Sequence, residues 1–420
     1  MKRFGTDGIR GQWGSAALNP DIARALATVL MTEFEGPIPI VRDTRESGSA
    51  ILKALEEGMG NRGVDYGILP TPALSAILAA TGARVGIAIT ASHNPWQDNG
   101  LKVLGRGGFK LSPEEESVID GALDGAIGCA QGQGSLCEGE GGAEMYLQAQ
   151  CNAVGPTETL QGAKIAIDAA NGAGFESAER LLDACGMQSV VMGNHPNGQN
   201  INEGVGALHP EGLQELVLRE NCAAGIALDG DADRCTLIDA AGNLVHGDAL
   251  LLLLAKGPGV VGTVMCNSAL EDALSTRGMA FHRSAVGDRN VQLAMSQRGW
   301  QVGGEPSGHV LMTDALPTGD GLITGLRALA GGFDLASRLS DFTPFPSVQA
   351  AVRVASKPPL ETLAPVQQLI EQARATLKGR VLLRYSGTEP KLRILVEAQT
   401  EVEAQEWCER FEEAVKAQFP

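Results

Sequence analysis

The sequence predicts an α/β protein in which three similar domains, with mixed or mainly parallel sheets, are followed by a smaller α+β domain. Its 420 residues are too many for one ordinary hydrophobic core. Apolar strand-like runs alternate with helix-like segments as far as residue 343, which is typical of a sheet covered by helices on both faces. From Pro344 the order of elements changes. We therefore expect domains at 1–154, 155–245, 246–343 and 344–420.

The first domain is predicted to contain a helix over 21–34, a strand over 38–41, a helix over 49–61, a strand over 64–69, a helix over 73–80, a strand over 85–89 and a helix over 143–153. The segment from Gly121 to Gly142 is rich in Gly, Ala and Gln, which indicates a loose connector. The N-terminal stretch 4–11 has too many glycines for a helix and predicts a loop carrying one cation, Arg10. This guanidinium can bind an anion or pair with Asp7, and the sequence leaves both open.

Ser92 follows the apolar strand 85–89, on a loop that contains an Asn-Pro pair. Open α/β sheets bind their ligands at the carboxyl ends of such strands. His93 stands next to this hydroxyl and Lys102 follows shortly after it. The group predicts a nucleophile or a phosphate carrier at Ser92. A polar turn explains the same residues, so both interpretations stay open at this point.

The second domain is predicted to contain a strand over 164–168, a helix over 176–185, a helix ending near 221 and a strand over 224–228. The last strand leads into Asp229, Asp231 and Asp233, which alternate along an extended loop and therefore point the same way. Crowded carboxylates repel one another unless a hard cation lies between them, and oxygen ligands suit Mg²⁺. A calcium EF-hand loop is excluded because Arg234 holds its sixth position and Ala240 its twelfth. A solvated acidic loop is the remaining alternative, and Arg234 adds a cation for an anionic substrate.

The third domain is predicted to contain a helix over 248–255, a strand over 260–265, a helix over 269–277 and a strand over 279–282. Two glycine-flanked loops follow. The first carries Asp288 and Arg289, which are expected to contact a substrate, and the second carries Glu305, Ser307 and His309. Alternating polar side chains of this kind can bind neighbouring sugar hydroxyls, although a capped turn would also explain them.

The fourth domain is predicted to contain a strand over 348–354, a helix over 360–377, a strand over 381–384, a strand over 392–396 and a helix over 403–417. The loop between its last two strands offers hydroxyl groups, a glycine backbone and two flanking arginines. The residues concerned are Arg384, Ser386, Gly387, Thr388 and Arg393. Such a loop can form a nest for a phosphate, and a plain β-hairpin turn is the alternative.

The composition restricts the class of protein. The chain has 33 Lys and Arg against 50 Asp and Glu, and the net charge of −17 would repel nucleic acid and anionic membranes. The start of the chain has no signal-peptide pattern, and the longest apolar run, 249–255, is too short to span a membrane. Eight cysteines without a C-x-x-C pair are expected to be reduced thiols. We therefore expect a soluble cytoplasmic protein with no nucleic-acid or membrane partner.

Five motifs, in this order along the whole chain, resemble those of the α-D-phosphohexomutase family: 4–11, 90–95, 229–234, 304–309 and 384–390. Two further segments, 200–204 and 318–321, look like the amino-sugar branch of that family rather than the mannose or glucose branch. The resemblance implies four domains around a central cleft. It also implies an enzyme that moves a phosphoryl group between the 6- and 1-positions of a hexosamine monophosphate through a 1,6-bisphosphate intermediate.

The resemblance further implies roles for individual residues. Ser92 would be the phosphoserine, and the oxygen of its phosphate would hold Mg²⁺ together with Asp229, Asp231 and Asp233. The transferring phosphoryl group would be surrounded by Arg10, His93, Lys102 and Arg234. Glu305 and Ser307 would bind sugar hydroxyls with His309 beside them, and Lys102 or His309 would exchange the proton. The phosphate that is not transferred would bind Arg384, Ser386, Gly387, Thr388 and Arg393. The expected partners are these sugar phosphates, with a homodimer as the assembly considered.

Three alternatives are kept. A mutase of the mannose or glucose branch would share the motifs and differ in substrate. An aspartyl-phosphate phosphatase would use Asp229 and Asp231, but it places Thr or Val where Asp233 stands and leaves Ser92 without a role. A sugar-phosphate-binding protein without catalysis is the third. Ala232 and Pro306 depart from the family pattern; if residue 232 needs a positive φ, alanine costs about 1 kcal/mol there.

Overall fold

A computed structural model describes residues 3–4, 8–129, 134–387 and 389–419. The chain forms two compact units. The larger unit comprises Met1–Met265 and Phe281–Leu339, and the smaller one comprises Cys266–Ala280 and Ser340–Pro420. None of the helices within the described residues is both long enough and apolar enough to cross a membrane.

The first sheet of the larger unit has six strands: β1 (Ile9–Gln12), β2 (Ile38–Arg42), β3 (Gly63–Ile68), β4 (Val85–Ile89), β5 (Asp98–Gly105) and β6 (Cys137–Glu138). Their order is β1-β5-β4-β2-β3-β6. Strands β2, β3, β4 and β6 pair in parallel, whereas β5 pairs antiparallel with both β4 and β1. The helices are α1 (Pro20–Glu33), α2 (Gly48–Met59), α3 (Thr71–Thr81), α4 (Pro113–Ala126) and α5 (Gly142–Val154).

Two predictions for this domain are wrong. The end of the N-terminal stretch is a strand rather than a loop, because β1 gains backbone hydrogen-bond partners from β5, with Arg10 opposite Gly100. The connector prediction fails over its first residues, which belong to α4. This helix begins with a capping box in which Ser112 Oγ accepts from the Glu115 N–H and the Glu115 side chain accepts in return.

The second sheet has the order β11-β10-β9-β7-β8. It contains β7 (Lys164–Asp168), β8 (Gln188–Met192), β9 (Ala224–Leu228), β10 (Cys235–Asp239) and β11 (Leu244–Val245), with helices α6 (Ser177–Ala184) and α7 (Glu211–Glu220). Strand β9 is buried along its whole length, as its continuous apolar sequence predicts. The chain turns through the acidic loop after β9 and returns antiparallel as β10.

The third sheet has the order β13-β12-β14-β15. It contains β12 (Gly259–Thr263), β13 (Ala280–Ser284), β14 (Val302–Gly304) and β15 (Val310–Met312). The helices of this part of the chain are α8 (Gly247–Leu254), α9 (Ser268–Thr276), α10 (Asp288–Arg298), α11 (Gly321–Ala330) and α12 (Leu335–Arg338). Asp288 and Arg289 were predicted to lie in a loop, but they form the first turn of α10.

The smaller unit contains an antiparallel sheet in the order β16-β18-β17, formed by β16 (Ser347–Arg353), β17 (Arg380–Tyr385) and β18 (Lys391–Glu397). Helices α13 (Ala364–Thr376) and α14 (Glu401–Gln418) belong to the same unit, together with α9. The predicted helix over 360–377 is divided, because Leu360–Thr362 forms a separate 3₁₀ turn. The α+β character predicted for the C-terminal domain is confirmed.

Candidate active site

Ser92 lies at the carboxyl end of β4 and is fully buried. Its Oγ donates a 2.6 Å hydrogen bond to Oδ2 of Asp229, on the acidic loop of the second sheet, and lies 3.3 Å from Nδ1 of His93. The backbone at Ser92 has φ 54°, in the left-handed region that costs a non-glycine residue energy. Residues held in this way cluster at functional sites, because only the surrounding structure keeps them there.

The three carboxylates of the acidic loop converge. One oxygen from each of Asp229, Asp231 and Asp233 lies within 4.8 Å of the others, and all three side chains are buried. Oδ1 of Asp231 and Oδ1 of Asp233 have no hydrogen bond among the described residues. Three converging buried carboxylates with oxygens that accept no hydrogen bond offer hard ligands, so this group fits a hard divalent metal ion. The loop turns at Ala232, whose φ of 56° shows that this position does need the left-handed conformation.

Lys102 and Thr71 attach the acidic loop to the first sheet. Nζ of Lys102 donates to Oδ2 of Asp231 at 2.6 Å and to Oδ2 of Asp233 at 2.9 Å. Oγ1 of Thr71, at the start of α3, donates to the same Asp231 oxygen at 2.6 Å. Lys102 is on β5, opposite Ala88 of β4, and Ser92 lies in the loop that joins these two strands, so the antiparallel pairing brings both to one place.

The carboxylates have very different proton affinities. Burial raises the pKa of Asp229, and repulsion from Asp233 and Asp231 raises it further. Burial also acts to raise the pKa of Asp233, but the charges of Lys102, His309 and Arg234 outweigh this effect and hold that pKa well below its usual range. Asp229 therefore holds a proton more readily than Asp233 does.

His309 is buried on the loop between β14 and β15. Its Nδ1 lies 3.5 Å from Oδ1 of Asp233, and its Nε2 lies 3.4 Å from Oδ2 of Asp288. Burial lowers the pKa of His309, but the two carboxylates outweigh burial and raise it to about 10. Lys110 holds Asp288 from the other side, with Nζ 2.7 Å from Oδ1. Asp288, which was expected to contact a substrate, therefore contacts His309 in this structure.

Two further predicted site residues, His93 and Arg234, lie beside Ser92 and the carboxylates. Burial, followed by the charges of Arg234 and Arg10, lowers the pKa of His93 to about 4, so this imidazole is neutral at neutral pH. Nε of Arg234 lies 3.7 Å from Asp233 and 4.0 Å from Asp229. The backbone N–H of Arg234 also donates to Asp229 at 3.2 Å. The structure therefore brings the predicted cations to the hydroxyl and the carboxylates.

The residues predicted to bind the substrate sugar lie in different environments. Oε1 of Glu305 accepts from the backbone N–H of Gly287 at 2.9 Å, so its carboxylate fixes the start of α10. The side chain of Ser307 is exposed on the same loop. Arg289 pairs with Glu116 of α4, with Nη1 2.7 Å from Oε2. This ion pair joins the first and third sheets of the larger unit.

The predicted phosphate loop of the smaller unit connects β17 and β18. Arg384 and Arg393 are directly opposite each other in the sheet, where like charges destabilise the pairing unless an anion lies between them. Burial and the charge of Arg393 lower the pKa of Arg384. Glu389 accepts from Arg393 at 2.9 Å.

Within the same loop, the buried Ser386 accepts from the Glu389 N–H through its Oγ at 3.2 Å. Nζ of Lys357 donates to the backbone carbonyl of Ser386, a contact that the sequence analysis did not predict. Gly387 is exposed, and Thr388 lies outside the described residues.

Four further residues of the site were missed: Asp43, Arg45, Thr71 and Asn202. Asp43 and Arg45 directly follow β2, and the carboxyl ends of β2 and β4 share one edge of the sheet. The rule that identified Ser92 would therefore also have indicated them. Asn202 lies in the segment 200–204 that resembled the amino-sugar branch, but no pattern in the sequence shows that it contacts the Ser92 loop.

Sequence profiles of one family match successive parts of the chain. They are described as phosphoglucomutase/phosphomannomutase α/β/α domain I over residues 1–126, domain II over 144–242, domain III over 246–341 and the C-terminal domain over 350–414. Together they cover most of the sequence.

Curated relatives match over the full length. A phosphoglucosamine mutase of Paracidovorax citrulli is 40% identical over 440 residues, covering 99% of both chains. The enzyme of the same name from Neisseria meningitidis serogroup B is 39% identical over 447 residues, again with 99% of both chains covered.

Solved structures share the fold. A phosphoglucomutase/phosphomannomutase family protein of Burkholderia thailandensis superposes with a TM-score of 0.77 at 24% identity, covering 99% of this chain and 98% of the other. An Aspergillus fumigatus N-acetylphosphoglucosamine mutase, solved with GlcNAc-6P and magnesium, gives 0.67 at 18% identity, covering 99% and 96%.

Proposed function

Because this chain belongs to the phosphoglucomutase/phosphomannomutase family, we propose that it interconverts glucosamine 6-phosphate and glucosamine 1-phosphate. The chain is an enzyme of the phosphohexomutase type. The choice of an amino sugar rests on the names of its relatives at about 40% identity over the full length. The four predicted domain boundaries are part of the same proposal.

The observation that carries the mechanism is the contact between Ser92 Oγ and Asp229, 2.6 Å apart in a buried site. In the proposed reaction, the phosphoryl group on Ser92 moves to the free hydroxyl of the sugar monophosphate. The bond from phosphorus to Ser92 Oγ breaks and a bond from phosphorus to the sugar oxygen forms. A base takes the proton of the sugar hydroxyl, and an acid returns a proton to Ser92 Oγ. The bisphosphate then turns over and returns its other phosphoryl group to Ser92.

Asp229, Asp231 and Asp233 fit Mg²⁺ as the metal of this site, because hard oxygen ligands suit that ion. When bound, Mg²⁺ would supply positive charge against the negative charge that develops on the transferring group. Arg10 and Arg234 would contribute to the same stabilisation from the protein side. His93 stays neutral beside Ser92, so it can accept a hydrogen bond without adding charge.

Proton exchange with the sugar hydroxyl and Ser92 Oγ is assigned to Lys102 or His309, and His309, whose pKa the carboxylates raise to about 10, would begin as the acid. Both contact Asp233, which keeps each of them beside the carboxylates rather than in solvent. Asp288 would orient His309, because its carboxylate faces the second ring nitrogen. Glu305 and Ser307 would bind sugar hydroxyls, and Arg289 would support them by holding the first turn of α10.

The loop between β17 and β18 would bind the phosphate that is not transferred. Arg384 and Arg393 face each other there, and Ser386, Gly387 and Thr388 follow in the turn. We expect Arg384→Ala to raise KM for glucosamine 6-phosphate about 10- to 100-fold, because a charge-assisted bond to phosphate contributes roughly 1.5–3 kcal/mol. The effect on kcat should be smaller.

Steady-state kinetics measures this effect, with Arg374→Ala as a matched control. Arg374 is an exposed arginine of the same unit whose side chain pairs only with Glu371 of its own helix among the described contacts, at 2.8 Å. An unchanged KM in the Arg384 variant would remove this loop from the binding site.

The test of the substrate is ³¹P NMR of the full chain with Mg²⁺ and a trace of hexose 1,6-bisphosphate. Glucosamine, glucose and mannose 6-phosphates are compared at equal concentration. We expect glucosamine 1-phosphate to form fastest. Turnover of only glucose or mannose phosphate would overturn the proposed substrate, and absence of turnover with all three would overturn the proposed reaction.

A further inference from the structure

Arg45 lies behind the Ser92 loop and is only 3% exposed. Its guanidinium donates to four backbone carbonyls of that loop. Nη2 donates to Ser92 O and Asn94 O, both at 2.8 Å, while Nη1 donates to Asp98 O at 2.9 Å and also to Pro95 O. One side chain therefore holds the chain at Ser92 and over the residues that follow it.

Asp43 fixes the guanidinium in turn. Its Oδ2 accepts from Arg45 Nε at 2.9 Å and from Thr90 Oγ1 at 2.6 Å. Thr90 Oγ1 then accepts from the backbone N–H of Ser92 at 2.9 Å. Asp43 and Thr90 are 2% and 1% exposed, so water does not compete for these bonds.

Asn202 holds the same loop from the second sheet. Its Nδ2 donates to Ser92 O at 3.0 Å and to Asn94 O at 3.3 Å. Its own backbone N–H donates to Ala170 O at 2.9 Å, which ties it to the segment that follows β7. The carbonyl of Ser92 thus accepts from two side chains that belong to different sheets.

These bonds explain how Ser92 keeps a left-handed backbone without being glycine. A conformation that is costly in isolation persists only where the surroundings hold it firmly. If the loop relaxed, Oγ would move away from Asp229, and a displacement of about 1 Å at a reacting atom lowers rates roughly 100-fold.

We propose that Arg45, supported by Asp43 and Asn202, is a positioning residue that holds the Ser92 hydroxyl in line for phosphoryl transfer. This inference rests on the proposed function and assigns a residue outside the motifs that carry it. Arg45 sets the rate of transfer and leaves sugar-phosphate affinity and metal affinity unchanged, since its described contacts include neither Asp229, Asp231 and Asp233 nor the loop that contains Glu305. Lysine cannot substitute, because a single ammonium group cannot reproduce the planar arrangement of donors.

The test is Arg45→Lys in the full chain with Mg²⁺. We expect kcat to fall about 100-fold while KM for glucosamine 6-phosphate stays within about threefold and the Mg²⁺ concentration for half-maximal activity is unchanged. Asn202→Ala removes two hydrogen bonds to the Ser92 loop, fewer than Arg45 makes, and should lower kcat about tenfold with an unchanged KM. This variant tests the proposal if Arg45→Lys folds poorly.

Arg62→Lys is the matched control. Arg62 also holds backbone carbonyls in the first domain, donating to Gly36 O at 2.9 Å, Met31 O at 2.8 Å and Phe34 O, but none of these lies in the Ser92 loop. We expect Arg62→Lys to lose about as much thermal stability as Arg45→Lys does, but to keep the full kcat of the wild type. An equal kcat loss in both arginine variants, or wild-type kcat in Arg45→Lys, would overturn the proposal.

A second readout separates this proposal from the proposed function. Intact-mass spectrometry follows the rate at which hexose 1,6-bisphosphate loads one phosphoryl group onto the chain. If the wild-type chain loads but converts none of the three sugar monophosphates, the proposed function fails, while slow loading of Arg45→Lys still supports the positioning role. Equal loading rates in the two chains would contradict it.

Discussion

Ser92→Ala abolishes mutase turnover, with an expected loss on the order of 10⁴-fold or more, because the proposed reaction has no other group to carry the phosphoryl intermediate. The variant should also fail to gain a phosphoryl group from hexose 1,6-bisphosphate, as measured by intact mass. The alanine side chain is nearly as small as that of serine, so it fits the same buried position. The left-handed backbone strain is the same for both residues, so the fold should persist.

Ser75→Ala is the control for this prediction. Ser75 is equally buried in the same domain, and its Oγ makes one 3.2 Å hydrogen bond to Gly108 O, away from the acidic loop. It should retain wild-type turnover and loading. Mutase activity of Ser92→Ala close to that of the wild type would show that the phosphoryl group is not carried on this serine.

Asp231→Asn lowers the affinity for Mg²⁺ by at least about 100-fold and reduces turnover to a similar extent. Replacing a residue that only supports a metal ligand lowers metal affinity or activity about 10- to 100-fold. Replacing a ligand itself should therefore lower metal affinity by at least the upper value of this range. Asp231 presents Oδ1 without a hydrogen bond among the described residues, and asparagine replaces this charged oxygen by a neutral group of the same shape.

Two measurements check this. The midpoint of thermal unfolding should rise with Mg²⁺ in the wild-type chain and much less in the variant, because a metal that binds only the folded state stabilises it. Removing metal with a chelator should stop wild-type turnover, and added Mg²⁺ should restore it. Asp239→Asn is the control, since Asp239 is a buried carboxylate of the same sheet that accepts from Ala241 and Asn243. Equal Mg²⁺ affinity in the Asp231 variant and the wild type would exclude this carboxylate as a ligand.

Ser92 and Asp231, the residues replaced in these two predictions, lie on opposite sides of the contact between the Ser92 loop and the acidic loop. Ser92 comes from the first sheet and the carboxylates from the second, and Thr71, Lys102 and Asn202 bond across the same boundary. Phosphoryl transfer depends on positioning and charge more than on covalent chemistry by the protein. A site assembled from two sheets therefore needs many fixed contacts between them, and the described structure supplies them.

Local patterns in the sequence were sufficient to indicate the candidate residues. A buried apolar strand followed by a polar loop places that loop at the functional edge of an α/β sheet, and this rule indicated Ser92 and the three aspartates. The change of order after Pro344 likewise indicated the α+β domain. Such signals lie within a few residues, so periodicity and residue type reveal them.

Only the tertiary structure decided how these parts meet. Strand β5 runs antiparallel to β4, which brings Lys102 to Asp231, and β1 becomes a strand only because β5 supplies its partners. Arg45 and Asn202 reach the Ser92 carbonyl from positions 47 residues before it and 110 residues after it. Hydrogen bonds over such separations depend on how the sheets pack together. A local sequence pattern therefore cannot predict which distant group a buried side chain will contact.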